Sequence, residues 1–273
     1  GGEGDVQWGG VEVRPAGVGE DGECVGGVLL EVLGRLRTIA GTRAFAADKR
    51  KDERARLIDA LLKRPEYATF WAQKWGDLLR LEPKQLTAAG TTKYHRWLVK
   101  AIGNNLPYDQ FAQALLVSDG NTTAHPPANY YRAAKDTNDA LETTAQIFLG
   151  SRLACAKCHN HPFERWTQDQ YYQTAAFLAQ FGLAKDPASG KKELGKTAVE
   201  AGKPLYEIVS DKKNGEIKHD RTGEVTAPVF PYPVKFTVPE NAPRRQQLAH
   251  WITAADNPYF ARSYVNRIWG YYM

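Results

Sequence analysis

Residues Asp136 to His159 read DTNDALETTAQIFLGSRLACAKCH, and this stretch decides the fold around the most informative motif of the chain. Its apolar residues recur at three- and four-residue spacing: Leu141, Ala145, Phe148, Leu149 and Leu153. That spacing predicts an amphipathic helix from Asp136 to about Cys158. Pro162 disfavours the helical conformation for His161, so we expect the helix to end just after the motif.

The stretch ends in Cys155-Ala156-Lys157-Cys158-His159, a C-x-x-C-H motif that is typical of covalent attachment of c-type haem. Two thiols three residues apart on one helical turn point the same way, so both can bond to one edge of a porphyrin. His159 can then offer an imidazole nitrogen to the iron from that side. We therefore predict that Cys155, Cys158 and His159 bind a haem c cofactor, with His159 as the iron ligand.

Two other chemistries remain open for these residues. A mononuclear zinc or iron site would use both cysteines, with His159 and His161 as metal ligands, because zinc accepts thiolate and imidazole ligands. The usual zinc spacing, about a dozen residues between the cysteine pair and the histidine pair, is absent here. A dithiol redox pair normally lies at the start of a helix, whereas this motif ends the predicted one.

The sequence leaves the sixth ligand of a haem iron open. His161 lies two residues after His159 and would reach the same side of the ring, and Met273, the only methionine, is the last residue. The other candidates are histidines elsewhere in the chain: His95, His125, His219 and His250. Each of them alone is more often a surface or core histidine than a ligand, and a five-coordinate iron is the other interpretation.

Four side chains near the motif are candidate contacts of a porphyrin. Phe163 and Trp166 offer aromatic rings to its edge, and Arg152 and Arg165 offer guanidinium groups to its propionates. The blander interpretation is core packing for the two rings and a solvated surface for the two arginines.

The composition is that of an ordinary globular protein, with 42% hydrophobic and 25% charged residues over 273 positions. The net charge is +5, but basic and acidic residues are interleaved, so we expect no nucleic-acid partner. No run of about 18 apolar residues predicts a membrane span. The motifs typical of serine hydrolases, P-loop kinases and dinucleotide-binding proteins are also absent from the sequence.

The pattern along the chain predicts a mainly α fold, a multi-helix domain with a small β-hairpin insertion. Residues 1–27 are rich in glycine and are predicted to be poorly ordered. Residues 28–183 carry the helical signals, with a first short helix at Val28. A turn-rich segment follows over residues 184–236, and two helices are predicted within residues 237–273.

Local signals fix several element ends. Asp52 is placed to begin one helix and Pro65 the next, and Thr167-Gln168-Asp169-Gln170 is a capping box. Asn214-Gly215, flanked by short apolar runs, predicts a β-hairpin, and Thr222-Gly223 predicts a second turn.

Several ordered motifs resemble a known family, the planctomycete-type cytochrome-c-like domain of unknown function. They are Arg56 to Leu62, Pro65-Glu66-Tyr67, Leu106 to Phe111, Phe148-Leu149-Gly150, Cys155 to Phe163 and Gln170-Tyr171-Tyr172. Asn257 to Arg262, with Val265 to Trp269, resembles the truncated start of the domain that usually follows it.

The resemblance implies a haem-binding, electron-transferring protein that is periplasmic or secreted, because covalent haem attachment takes place on the outer side of the membrane. The alternative function is a non-haem binding or scaffold domain stabilised by zinc or iron. The resemblance identifies neither the electron-transfer partner nor the oligomeric state, and it does not decide whether the protein is an enzyme.

Overall fold

The structure, a computed structural model, describes residues 6–8, 11–13, 21–36, 38–134, 136–195 and 202–272. Contacts between residues divide the chain into two units, Gly1–Phe70 and Trp71–Met273. Each unit is described by itself.

Helices dominate both units. Their bounds are α1 Asp21–Leu33, α2 Ile39–Ala47, α3 Glu53–Leu62, α4 Pro65–Leu78, α5 Pro83–Gly103, α6 Tyr108–Leu116, α7 Asn129–Ala133, α8 Thr137–Thr144, α9 Gln168–Ala175, α10 Arg244–Thr253 and α11 Phe260–Tyr272. Within the described ranges, no helix combines the length and the apolarity that crossing a bilayer requires.

The strands are short and pair antiparallel. They are β1 Val6–Trp8, β2 Val11–Val13, β3 Gly120–Asn121, β4 Phe181–Lys185, β5 Glu193–Leu194, β6 Lys203–Pro204, β7 Glu207–Asp211, β8 Ile217–Lys218 and β9 Val225–Thr226. The largest sheet has three strands in the order β3-β7-β4, with Leu183 opposite Val209. The other pairs are β1 with β2, β5 with β6, and β8 with β9. This mainly α architecture with small β elements confirms the predicted fold class.

The first unit is a small helical cluster. Val32 and Leu33 of α1 pack with Leu61 of α3 in a core of their own, and Thr38 caps α2 by accepting a hydrogen bond from the Gly41 N–H. The prediction that the first helix begins at Val28 is wrong, because α1 already begins at Asp21. The strands β1 and β2 also lie within the stretch predicted to be poorly ordered, and the rest of residues 1–20 falls outside the described residues.

The second unit is built around an aromatic core. Tyr94 and Leu98 of α5 are fully buried. Trp75 packs edge-on against Phe111 with ring centroids 5.0 Å apart, and Trp97 stacks on the Phe111 ring at 5.5 Å. Burial of large apolar side chains is the main favourable term in folding. These helices therefore form the frame to which the later elements attach.

Several predicted boundaries are confirmed. Pro65 is the first residue of α4. The Thr167 hydroxyl and the Gln170 side chain form the predicted capping box at the start of α9. The two closing helices, α10 and α11, begin within two residues of their predicted starts. Asp52 precedes α3 as expected, although its side chain makes no capping hydrogen bond.

The prediction of one helix from Asp136 to Cys158 is wrong. The α-helix α8 gives way to a π-helix over Ala145–Leu149, and Gly150 ends it with φ +65°. A 3₁₀-helix over Leu153–Lys157 then carries the motif cysteines. The physical reason is Gly150, which adopts the left-handed conformation without steric cost and lets the backbone turn out of the helix.

The predicted hairpin at Asn214-Gly215 is also wrong. Its first strand, β7, pairs with β4 and β3 instead of with Ile217, because Val209 is buried in the core of the unit. Burial of that face fixes the register more strongly than the local turn does. The second predicted turn is confirmed, since β8 and β9 form a hairpin around Gly223, whose φ is +72°.

Arg245 of α10 ties the C-terminal helices to the sheet. Its Nε and Nη2 atoms donate to the two carboxylate oxygens of Asp211 at 2.7 and 3.0 Å, and Nη1 donates to the Ser118 carbonyl at 2.8 Å. The guanidinium lies 4.6 Å from the centroid of the Tyr131 ring. Since Arg245 is 2% exposed, this planar group is held in a single arrangement by three partners.

We expect Arg245→Met to lower the free energy of unfolding of the second unit by about 3 kcal/mol, because it leaves Asp211 and the Ser118 carbonyl without their partner. Urea denaturation followed by tryptophan fluorescence measures this loss, since six of the seven tryptophans lie after Phe70. The neighbouring Arg244 pairs with Glu216 in a more exposed position, so Arg244→Met should cost less than about 1 kcal/mol. Equal losses in the two variants would contradict the assigned role of Arg245.

Candidate functional site

The two motif cysteines lie on one tight turn and face outward. Cys155 and Cys158 are both free thiols on exposed residues. The Cys158 N–H donates to the Cys155 carbonyl at 3.3 Å, and the His159 N–H approaches the same oxygen at 3.4 Å. These backbone hydrogen bonds hold Cys155, Cys158 and His159 on one turn of the chain.

The same turn is anchored by its apolar residues. Leu153 and Ala156 are fully buried in the core of the second unit, and Ala156 lies between the two exposed cysteines in sequence. The 3₁₀-helix thus presents its apolar residues to the interior and its thiols to the surface. The motif cysteines are therefore at the surface, while the turn that carries them is anchored in the core.

The imidazole of His159 is exposed and has a defined hydrogen bond. Its Nδ1 atom lies 2.7 Å from the backbone carbonyl of Asn160. A carbonyl can only accept, so Nδ1 carries the proton, and the neutral ring keeps its lone pair on Nε2. That is the tautomer of histidines that bind a metal through Nε2, whose other nitrogen usually donates to a carbonyl or a carboxylate.

His161 has the opposite arrangement. Its Nδ1 atom accepts hydrogen bonds from the backbone N–H groups of Phe163 and Glu164 at 3.2 and 2.9 Å, and the His161 backbone N–H donates to the Trp166 carbonyl at 2.8 Å. The proton of the neutral ring therefore lies on Nε2. His161 closes a turn of the loop, and coordination of a metal by either ring nitrogen would require this bonding to change.

The N-terminal end of α9 holds the loop that carries these histidines. The Gln168 side chain donates to the Lys157 carbonyl at 2.9 Å, and its backbone N–H donates to the Asn160 side-chain oxygen at 2.9 Å. The Tyr172 hydroxyl also donates to the Lys157 carbonyl, at 3.1 Å. Sequence analysis missed Gln168 and Tyr172 as parts of the site, because the capping box marks the start of α9 but not its packing against the motif.

The buried side chain of His219 packs against Tyr172. The His219 ring lies 4.5 Å from the Tyr172 ring, centroid to centroid, its Nδ1 accepts from the Arg221 N–H at 3.2 Å, and its Nε2 lies 3.1 Å from an Asp169 carboxylate oxygen. Burial, followed by the hydrogen-bonded carboxylate of Asp220, raises the pKa of Tyr172 well above its ordinary value. Tyr172 therefore remains a neutral donor to the motif turn at physiological pH.

The other candidate sixth ligands are dispersed over the second unit. His95 lies on α5 in an open surface depression with Asp77 and Thr91, His125 precedes a 3₁₀-turn at Pro126–Ala128, and His250 is in the last turn of α10. His219, by contrast, contacts Tyr172 of α9, the residue whose hydroxyl donates to the motif turn. Met273 falls outside the described residues.

The candidate porphyrin contacts separate into two kinds. Trp166 is 1% exposed and belongs to the core, whereas Phe163 is 93% exposed at the tip of the motif loop. The Arg165 guanidinium lies 5.2 Å from the centroid of the Tyr232 ring, and its Nη2 donates to the Pro231 carbonyl at 3.4 Å. Phe163 is thus an apolar ring with free access to a bound group, and Trp166 is a structural side chain.

Among the described residues, no three histidine, cysteine, aspartate or glutamate side chains converge in an arrangement that holds a metal ion.

Comparison with known proteins identifies the family. The chain belongs to the family described as "Protein of unknown function (DUF1549)", whose planctomycete cytochrome-like model PSCyt2 matches residues 6–182. A second model, PSD1, described as "Protein of unknown function (DUF1553)", matches residues 244–273. These two matches confirm the family and domain order that the sequence motifs indicated. No curated protein and no solved structure matches the chain.

The exposure of both motif thiols gives a direct test of the site. We expect Cys155 and Cys158 to react with a small disulfide reagent in the native protein without denaturant, because thiol reactivity depends on access as well as on thiolate formation. Titration of the native chain beside the Cys155→Ser, Cys158→Ser double variant should differ by two equivalents of released chromophore. Equal titration of the two native proteins, with a difference only after denaturation, would contradict the exposed arrangement.

Proposed function

We propose that this protein is a c-type cytochrome-like electron carrier that binds one haem through Cys155 and Cys158 and coordinates its iron through His159. One observation carries the proposal: two exposed free thiols share a turn with an imidazole whose Nδ1–H is donated to the Asn160 carbonyl. The donor set fits haem c, because it offers two sulfur nucleophiles for one porphyrin edge and one nitrogen lone pair for the metal.

The covalent step needs nothing from the chain beyond the two thiols. Each S–H adds across one vinyl group of the haem, so that a carbon–sulfur bond forms at the carbon next to the ring and the proton ends on the terminal carbon. No electrons are lost and no group leaves. The backbone hydrogen bonds that hold Cys155 and Cys158 on one turn set the separation between the two sulfur atoms.

The bound haem would supply a one-electron couple between ferric and ferrous iron. The chain contributes the axial nitrogen of His159 and the hydrogen bond that orients it. It also presents the attachment site at the surface, next to the exposed ring of Phe163. Exposure of the attachment edge favours exchange of electrons with a partner protein, whose identity the proposal leaves open.

The location follows from the same chemistry. Covalent attachment requires reduced thiols and a haem-ligating system on the outer side of the membrane, so we propose a periplasmic or secreted protein.

A non-haem metal site is the weaker alternative. To bind a metal, His161 would have to lose either the two hydrogen bonds that its Nδ1 accepts or the proton on its Nε2. Cys158 and His159 are adjacent in sequence, and two adjacent residues rarely ligate one small ion without strain in the backbone. The alternative therefore serves as an outcome of the experiment below.

The test is expression with a c-type haem maturation system and export to the periplasm. About one haem per chain should resist acid–acetone extraction and give a pyridine haemochrome spectrum, since thioether bonds survive the extraction. Elemental analysis of the same sample should find iron in equal amount. No extractable or resistant haem, with about one zinc or iron per chain, would favour the alternative metal site; neither haem nor metal would refute both.

Single cysteine variants sharpen the assignment. Cys155→Ser and Cys158→Ser should each keep one thioether and leave one vinyl group unsaturated, which moves the haemochrome α-band to longer wavelength. The double variant should keep no haem after extraction. Cys24→Ser alters the third cysteine of the chain and is the matched control; it should leave the spectrum of the parent protein unchanged, and a loss of haem in this control would point to attachment outside the motif.

A further inference from the structure

The four-residue turn from Lys157 to Asn160 is fixed at both ends by a single residue of α9. At one end, Gln168 Nε2 donates to the Lys157 carbonyl at 2.9 Å, and at the other, the Gln168 backbone N–H donates to Asn160 Oδ1 at 2.9 Å. Gln168 is 4% exposed, so its own groups in these two part-buried hydrogen bonds are largely shielded from water.

Gln168 is available for this task because of its place in the helix. It is the first residue of α9, and the first N–H groups of a helix have no partner within the helix. The capping box of Thr167 and Gln170 satisfies neighbouring groups, and Asn160 satisfies the N–H of Gln168 from a distance of eight residues. The start of α9 is thus completed by the motif loop itself.

The same loop supplies the hydrogen-bond acceptor of the His159 ring. The carbonyl that receives the Nδ1–H belongs to Asn160, the residue whose side chain is bound to α9. The hydrogen bond from Gln168 to the Asn160 side chain holds this residue in place and so restrains the backbone from which the acceptor carbonyl projects. Its loss would free Asn160 to reorient and would weaken the hold of that carbonyl on the His159 ring.

We propose that Asn160 and Gln168 are positioning residues that hold His159 in the Nδ1–H tautomer with Nε2 free for iron, an inference that rests on the proposed function of His159 as axial ligand. Ligating histidines owe their tautomer and their basicity to the partner of the second nitrogen. Here that partner is a backbone carbonyl, and the residues that place it are the ones that set the ligand.

The experiment observes the tautomer in the haem-free protein. Long-range ¹H–¹⁵N correlation spectra of the ¹⁵N-labelled chain, recorded well above the ordinary histidine pKa of about 6.5, distinguish a protonated nitrogen from one with a free lone pair. His159 should carry its proton on Nδ1, and His161 should carry its proton on Nε2. His159→Gln assigns the resonances.

In Asn160→Ala and in Gln168→Leu, His159 should shift toward the Nε2–H form while the His161 signals stay in place. Asn160→Asp keeps a side-chain oxygen for the Gln168 N–H at a helix N-terminus and should restore the parent tautomer. Gln170→Ala is the matched control, because it damages the cap of the same helix without touching the 157–160 turn, and it should leave His159 unchanged. His159 in the Nδ1–H form in every variant would overturn the proposal.

The haem-loaded protein gives an independent readout. Loss of the Nδ1 hydrogen bond makes His159 a weaker donor, so Asn160→Ala should raise the midpoint potential relative to Asn160→Asp. If the His159 tautomer changes in these variants but the parent protein attaches no haem, the proposed function is refuted and the positioning role stands. Attached haem with a tautomer indifferent to Asn160 and Gln168 would refute the positioning role alone.

Discussion

The carbonyl groups of the π-helix need hydrogen-bond donors, and side chains of α11 supply them. Arg267 donates to the carbonyls of Gln146 and Ile147 at 3.0 and 2.8 Å, and Ser263 donates to the carbonyl of Phe148 at 2.8 Å. A buried carbonyl left without a donor costs about 1–3 kcal/mol, so the close approach of α11 and the early end of the helix stabilise each other. A Cβ at Gly150 would lie 3.0 Å from the Ser263 Cβ, which makes a side chain there difficult to accommodate. The backbone that leaves this junction carries the motif out of the core.

After that junction, the two histidines of the motif loop differ in whether Nδ1 donates or accepts a hydrogen bond. His159 and His161 are two residues apart and both lie near the surface, yet one ring donates through Nδ1 to a carbonyl and the other accepts through Nδ1 from two N–H groups. The ring of His159 faces a backbone carbonyl, which can only accept, and the ring of His161 faces two backbone N–H groups, which can only donate. Identical side chains thereby differ in the position of the ring proton, with a free lone pair on Nε2 in the first case and a turn-closing Nδ1 in the second.

The sequence predicted the features that depend on local chemistry. The capping box at Thr167, the proline at the start of α4 and the helical spacing of the closing segment all survive in the structure, because each is decided within one or two helical turns. The pairing of β7 with β4 is decided by the burial of Val209, a contact between distant parts of the chain, so the turn signal at Asn214-Gly215 was misleading. In the site, the motif residues were predicted by their spacing, whereas Gln168 and Tyr172 reach the motif only through the packing of α9. The predicted domain boundaries at 28, 184 and 237 stay predictions.

The ties between α10, α11 and the rest of the second unit bear on how such a chain is inherited. The residues matched by the second family, 244–273, include Arg245, which is bound to Asp211 and Ser118, and Arg267, which is bound to the π-helix. The border between the two families therefore runs through one folding unit. A recombination event at that border would separate a core from two of its own helices and leave unsatisfied carbonyls behind. Preserving these contacts within one folded unit is enough to favour genes in which the two families stay adjacent.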